Sequence, residues 1–211
     1  SKDVKKQSIL KEESLDLQMI EAYKDGLSSL EEGDVLFAAK KFNEAEILYP
    51  QSIWAPRAAL MAAYSYYSDN YYGDAVAELN RFLKVYPNHK DIAYAEYLLG
   101  LSYYEQIVDE KKDLESIINS KKIFLDVIEK YPNTDFAIDS KFKINLIDTI
   151  LAAKEMYVGR YYFDRKKWIA SINRFKFVID NYDTTIYIEE ALHRLVEIYY
   201  IIGLENEAKK Y

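Results

Sequence analysis

Ala75-Val76-Ala77-Glu78-Leu79-Asn80-Arg81-Phe82-Leu83-Lys84-Val85-Tyr86-Pro87 sets small or apolar residues at Ala75, Leu79, Phe82 and Tyr86. Those steps of three and four residues trace one face of a helix, and the closing proline cannot continue it. The Tyr-Pro stop recurs at Tyr49-Pro50 and Tyr131-Pro132, with a degenerate copy at Tyr182-Asp183. Seven residues before each tyrosine stand Phe42, Leu79, Phe124 and Phe175, and eleven before stand Ala38, Ala75, Ser120 and Ser171. Fourteen before are Val35, Tyr72, Ile117 and Trp168. Four short amphipathic helices follow, each stopped near its tyrosine.

Polar spacers with capping chemistry come next: Asn88 to Asp91 before Ile92, Asn133 to Asp135 before Phe136, and Asp183-Thr184-Thr185 before Ile186. These predict helix starts, and Pro56 suits the first turn of the helix after Trp54. That preceding helix carries its own small-then-aromatic signature, at Ala63 with Tyr66, Gly100 with Tyr103, Gly159 with Tyr162 and Val196 with Tyr199; Gly26 takes the small position in the first copy. A small residue there lets two helices approach closely.

The unit of helix, short turn, helix and Tyr-Pro resembles the tetratricopeptide repeat, with Phe42 to Pro50, Leu79 to Pro87 and Phe124 to Pro132 in matching register. The fold class expected is all-α, a superhelix or solenoid of about five tetratricopeptide-like helix-turn-helix repeats, the fifth starting at Ile186. Repeat three carries a charged insertion around Asp109-Glu110-Lys111-Lys112-Asp113. Repeat four is longer by about fourteen residues between Phe136 and Tyr162, or about 21 Å of helix. With no proline there and apolar Ile144, Ile147, Leu151 and Met156, one long first helix is predicted. Residues 1–133 are read as N-terminal repeats one to three and 134–211 as C-terminal repeats four and five.

Composition agrees with helices and excludes much else. Six Gly and four Pro in 211 residues are too few for the turns of a β-sandwich. There is no cysteine, hence no disulfide, thiolate metal site or cysteine nucleophile in this sequence. A net charge of −7 has the wrong sign for neutralising phosphates, so no nucleic-acid partner is expected. The apolar runs are far shorter than the roughly 20 residues that span a bilayer. His89 and His193 form no metal pair, adjacent acids such as Glu189-Glu190 diverge on a helix, and no nucleophile elbow or phosphate loop occurs. The reading is no enzyme, no metal and no cofactor. Tyrosine is abundant at 21 residues, and its large ring with a hydroxyl suits half-buried surfaces and binding grooves.

A narrower resemblance rests on Pro50-Gln51-Ser52-Ile53-Trp54-Ala55-Pro56, Leu60 to Tyr67, Asn80-Arg81-Phe82, Pro87 to Tyr97 and Trp168 to Arg174. Together with the two insertions, these segments resemble the BamD family, tetratricopeptide lipoproteins of the outer-membrane β-barrel assembly machinery, over nearly the whole chain. The resemblance implies a protein on the periplasmic face of the outer membrane, anchored by lipid on an N-terminal cysteine; Ser1 suits the position just after it. It also implies docking onto the periplasmic domains of BamA through the C-terminal repeats, capture of unfolded outer-membrane protein C-terminal segments by the N-terminal ones, and contact with other assembly lipoproteins. Another periplasmic tetratricopeptide adaptor, for cell division or peptidoglycan synthesis, or a chaperone-type adaptor would share the fold.

The repeat register supplies residues for those tasks. First-helix positions facing the inner surface of such a repeat are Tyr23, Leu27 and Leu30, then Arg57, Leu60, Tyr64 and Tyr67, then Tyr94, Tyr97, Leu101 and Tyr104. A tyrosine-rich groove suits a peptide of alternating aromatic and apolar side chains, and Arg57 suits a terminal carboxylate. The residues alone leave open whether each tyrosine lines a groove or fills the space between repeats, and whether Trp54 is a contact or a staple over the first junction. In the C-terminal half, Arg160, Phe163, Arg165, Lys166, Lys167 and Arg174 form a basic, aromatic cluster, read as a solvated helix face or as a docking surface led by Arg174.

Overall fold

The computed structural model describes the backbone of residues 2–109 and 114–211, and the side chains of 11–106 and 114–211. Apart from the backbone of Asp109, the charged insertion of repeat three lies outside the described residues. Two compact units divide the chain at Ile138 and Asp139. The first holds α1 (Lys2–Glu31), α2 (Val35–Leu48), α3 (Ala55–Ser68), α4 (Tyr72–Val85), α5 (Ile92–Asp109), α6 (Leu114–Lys130) and the start of α7 (Asp135–Asp164). The second holds the rest of α7 with α8 (Trp168–Asn181), α9 (Ile188–Ile201) and α10 (Glu205–Ala208). Among the described residues there is no strand, and the second helices stop at Leu48, Val85, Lys130 and Asn181, each one residue before its tyrosine.

Within a repeat, the small residue of the first helix faces the large residue of the second. Gly26 meets the ring of Phe42, Gly100 that of Phe124 and Gly159 that of Phe175. In repeat two, Ala63 shares a buried cluster with the smaller Leu79. The serines eleven before the tyrosine join the same contact: Ser120 Oγ donates to Gly100 O at 3.1 Å and Ser171 Oγ to Gly159 O at 2.9 Å. These two buried hydroxyls therefore have partners, and the helix axes stay close enough for the rings to be fully enclosed.

The turn inside each described helix pair has one geometry. Gly33, Asn70, Lys166 and Gly203, each two residues before a second helix, adopt positive φ of 83°, 67°, 55° and 76°. The next amide donates five residues back, from Asp34 to Ser29 O, Tyr71 to Tyr66 O, Lys167 to Tyr162 O and Leu204 to Tyr199 O, at 2.8–2.9 Å. This left-handed closure satisfies carbonyls that the helix end leaves open. Lys166, read as a docking residue, thus has a backbone role that a lysine fills at a cost.

Two of the stop tyrosines also tie helices together, one between repeats and one within a repeat. Tyr86 Oη donates to Glu46 Oε1 at 2.6 Å, and Arg81 grips both oxygens of Glu46 at 2.9 and 2.6 Å, joining α2 to α4. Tyr131 Oη donates to Glu96 Oε1 at 3.2 Å, linking the end of α6 to α5. The α8 helix ends in the same register although residue 183 is aspartate, because Thr185 spends its amide and hydroxyl on Tyr182 O at 3.1 and 2.8 Å. One expectation is corrected by that turn: α9 begins at Ile188, not Ile186, and Ile186 is left 81% exposed.

Candidate functional site

In the first unit, the solvent-facing sides of α1, α3 and α5 and the turns before α3 and α5 carry three adjoining cavities. The largest, about 600 Å³, has Met19, Ile20, Tyr23 and Leu27 of α1 on one side and Trp54, Arg57 and Met61 on the other, with Lys24 at its edge. A second, about 420 Å³, runs from Ile53, Trp54 and Pro56 to His89, Lys90 and Asp91. A third, about 300 Å³, is walled by Leu60, Met61, Tyr64, Lys90, Asp91 and Tyr94. Arg57 lines all three.

The predicted groove residues distribute unevenly over this surface. Arg57, Leu60, Tyr64 and Tyr94 meet at the third cavity, where Leu60 is nearly buried and Tyr64 stays exposed. Trp54 belongs to the other two cavities; its indole receives the Arg57 guanidinium at 5.3 Å and the edge of Tyr23 at 6.0 Å. It is thus both a staple on the first junction and, at 40% exposure, a solvent-facing wall. Tyr67 packs against Tyr72 at 5.7 Å. The Tyr97 ring lies 5.2 Å from Phe136 and 6.2 Å from Phe124, and Tyr104 lies 6.5 Å from Phe124, so both lean on neighbouring helices. Leu30 packs into the core beside Phe42, and Leu101 into the one beside Leu79.

Two phenols on this face are strongly perturbed. Burial, helped by the charge of Tyr64, pushes the Tyr94 phenol up to about 12; burial and then Glu105 do the same for Tyr67. Both remain neutral donors at any physiological pH. Arg81, Arg160, Arg174 and Arg194 are all paired with glutamates. Lys24, Arg57 and Lys90 face the cavities and, like Arg165 and most of the described lysines, have no carboxylate partner among the described residues, while Asp91 shares two of the three walls.

The cluster of the second unit is more self-satisfied. Arg160 Nε donates to Glu190 Oε1 at 2.7 Å, and this bond, followed by the charges of Arg160 and Arg194, holds the Glu190 carboxyl below the usual range. Phe163 packs edge-on to Trp168 at 5.5 Å, beneath the Arg194 guanidinium at 4.9 Å. Arg165 stacks over Tyr161 at 3.7 Å, and exposed Lys167 leads into α8. Arg174 Nη1 reaches Glu155 Oε2 at 2.9 Å and borders a recess of about 310 Å³ with Tyr162, Asn173 and Phe177.

Met19, Ile20, Lys24, Met61 and Lys90 escaped the sequence reading. Ile20 and Lys24 could have been found by carrying the register of Arg57, Leu60, Met61 and Tyr64 back into α1, where it falls on Ile20, Tyr23, Lys24 and Leu27. Lys90 carried no such signal, since it reads as part of a capping spacer. No cluster of metal-ligating side chains and no helix long and apolar enough to cross a membrane occurs among the described residues.

Helix pairs closed by a left-handed turn, with a small residue against a Phe or Leu, define a tetratricopeptide-like helical-repeat protein. Residues 15–211 match the outer membrane lipoprotein family YfiO, and the chain belongs to that family. It is 47% identical over 189 residues to the outer membrane protein assembly factor BamD of Rickettsia prowazekii (strain Madrid E), covering 90% of this chain and 75% of that protein. To the BamD of Caulobacter vibrioides it is 40% identical over 188 residues, covering 89% of this chain and 62% of the other. A BamD of Neisseria gonorrhoeae is 29% identical over 180 residues, covering 81% and 67%.

Proposed function

We infer that this chain is a non-catalytic scaffold and substrate-recognition subunit of the outer-membrane β-barrel assembly complex. Its first unit binds C-terminal segments of unfolded outer-membrane proteins along α1, α3 and α5, and its second unit docks onto the periplasmic domains of BamA. A lipid on an upstream cysteine would hold it to the periplasmic face of the outer membrane. Family membership and the names of the relatives support the assembly role.

The observation that carries peptide binding is the convergence of Arg57, Tyr64 and Tyr94 on one solvent-facing wall above Leu60. An apolar floor with phenol donors at its rim suits an extended segment whose aromatic side chains need burial and whose backbone needs partners. The test is a titration with a barrel C-terminal strand peptide. Tyr64→Ala should weaken binding by about 5-fold or more, on the scale of a buried aromatic contact, with an unchanged helical signal. Equal affinity of parent, Tyr64→Ala and Arg57→Ala would refute the groove. In the second unit, Arg174 at the recess with Phe177 supports docking to an acidic surface.

A further inference from the structure

We propose that Glu46 is a positioning residue for the groove: with Arg81 and Tyr86 it fixes how repeat two sits on repeat one, and so the spacing at which α3 presents Arg57, Leu60 and Tyr64 between α1 and α5. This rests on the peptide binding inferred above and adds what sets the shape of its site.

The seat of α3 needs such a constraint. Ala58 and Ala62 share buried clusters with residues of α2, and Ala59 and Ala63 with Leu79 and Phe82 of α4. The helix that carries the groove residues is therefore held from behind on both sides through alanines. Methyl groups bury area but interlock less than long side chains, so shape alone sets the angle of such a seam loosely.

On α2 and α4, the two second helices that flank this seat, four polar side chains close a ring. Arg81 donates to both oxygens of Glu46 at 2.9 and 2.6 Å, and to Glu78 Oε2 at 3.1 and 3.0 Å. Asn43 Nδ2 donates to Glu78 Oε1 at 3.4 Å, which returns the ring to α2. Asn43 and Glu46 stand about one turn apart on α2, as Glu78 and Arg81 do on α4, and both cross-links span 35 residues of sequence. Two attachments a turn apart fix rotation as well as distance.

Glu46 is the centre of the ring. Only 7% exposed, it accepts a further bond from Tyr86 Oη at 2.6 Å. A buried pair of this kind adds little stability over apolar side chains of similar size, while its forked geometry is strict. Position is what it supplies. Neither Glu46 nor its partners line the three cavities, so any effect on peptide affinity must pass through α3.

The experiment uses the full chain, which has no cysteine, with Lys40→Cys and Lys84→Cys placed at exposed positions of α2 and α4 and spin-labelled. Pulsed electron spin resonance reads the distance between the labels. Two variants are compared with the parent: Glu46→Leu/Arg81→Met/Tyr86→Phe, which replaces the carboxylate and its partners by apolar groups together, and Arg81→Lys, which keeps the charge but cannot fork to two carboxylates. The triple variant should hold the parent's urea midpoint yet broaden the distance distribution. It should also weaken binding of a labelled decapeptide of alternating tyrosine and serine ending in phenylalanine by about 5-fold, the scale of coupling through a packed network. Arg81→Lys should move both readings the same way by less. A merely stabilising pair would lower the midpoint and leave distances and Kd alone. Unchanged distances and Kd in both variants overturn the proposal, as does a change in either reading without the other. Should the triple variant lose its helical signal, Arg81→Lys decides by the same two readings. If the parent binds no peptide, the peptide reading falls, and the distance distributions alone decide whether Glu46 positions the helices.

Discussion

Gly100 and Phe124 stand so close that a methyl group on the glycine would lie 2.7 Å from Cε1 of the ring. Gly100→Ala should therefore destabilise the first unit by about 1–3 kcal/mol of overpacking, less up to about 1 kcal/mol of helix propensity that alanine returns. Repeat two already uses alanine against leucine, so adding Phe124→Leu should relieve the strain. Urea unfolding of the two singles and the double would show the coupling, and strictly additive costs would argue against this contact as the cause.

Lys166 holds φ of 55° where other repeats use Gly33 or Gly203. Lys166→Gly should stabilise the second unit by about 1 kcal/mol, the lower range of the penalty for a left-handed side chain, and raise its melting temperature. Gly33→Ala should lose a similar amount. A destabilised Lys166→Gly would mean the lysine side chain matters more than its backbone.

Alkali should weaken the protein through its buried phenols. Folding favours the neutral forms of Tyr67 and Tyr94, each pushed up to about 12, so above pH about 10 the unfolded chain sheds protons that the folded chain keeps. Stability from these groups is complete below pH about 10 and disappears as pH approaches 12. Denaturation midpoints at pH 9, 10 and 11 should fall less steeply in Tyr94→Phe and Tyr67→Phe; parallel curves for parent and variants would contradict the assignment.

The opposite sign holds for Glu190, whose carboxyl is depressed by Arg160 and then Arg194. Its contribution is present above the ordinary carboxylate value of about 4.3 and is lost as pH falls through the lowered folded value. Both partners are partly exposed, so the contribution is modest, below about 1 kcal/mol. Glu190→Gln should flatten the acid limb of a stability profile by that amount, and an unchanged limb would remove the pair from the account.

Arg174→Glu places a like charge beside Glu155 and reverses the sign at the recess with Phe177. If the second unit docks on an acidic domain, affinity for the periplasmic domains of BamA should drop about 10-fold or more with the helical signal intact. Glu155→Gln is the control for the internal pair and should leave binding within about 3-fold. Undiminished affinity in Arg174→Glu would take this face out of the docking proposal.

Much of the molecule could be read from residue order because its governing contacts are local. The steps from Ala75 to Leu79 to Tyr86, the small residue at Gly100 and the unbroken run from Phe136 to Tyr162 each concern one helix or its neighbour, so periodicity specifies them. The start of α9 was misplaced because Thr185 serves the preceding carbonyl rather than capping the next helix. Which tyrosines face solvent is less legible: Tyr64 and Tyr97 both stand on the inner-facing side read for a first helix, yet Tyr64 stays exposed while Phe124 and Phe136 draw the Tyr97 ring against neighbouring helices.

Amino-acid order alone settled the helical class, the repeat register and the long α7, since each follows from side-chain spacing, proline and small residues acting within a few turns. Only the folded chain decided that Arg57 stands at the meeting of three cavities while Arg174, Arg160 and Arg81 are neutralised, because pairing depends on glutamates brought across from other helices. A charge is legible in a sequence; whether it has a partner is a property of packing.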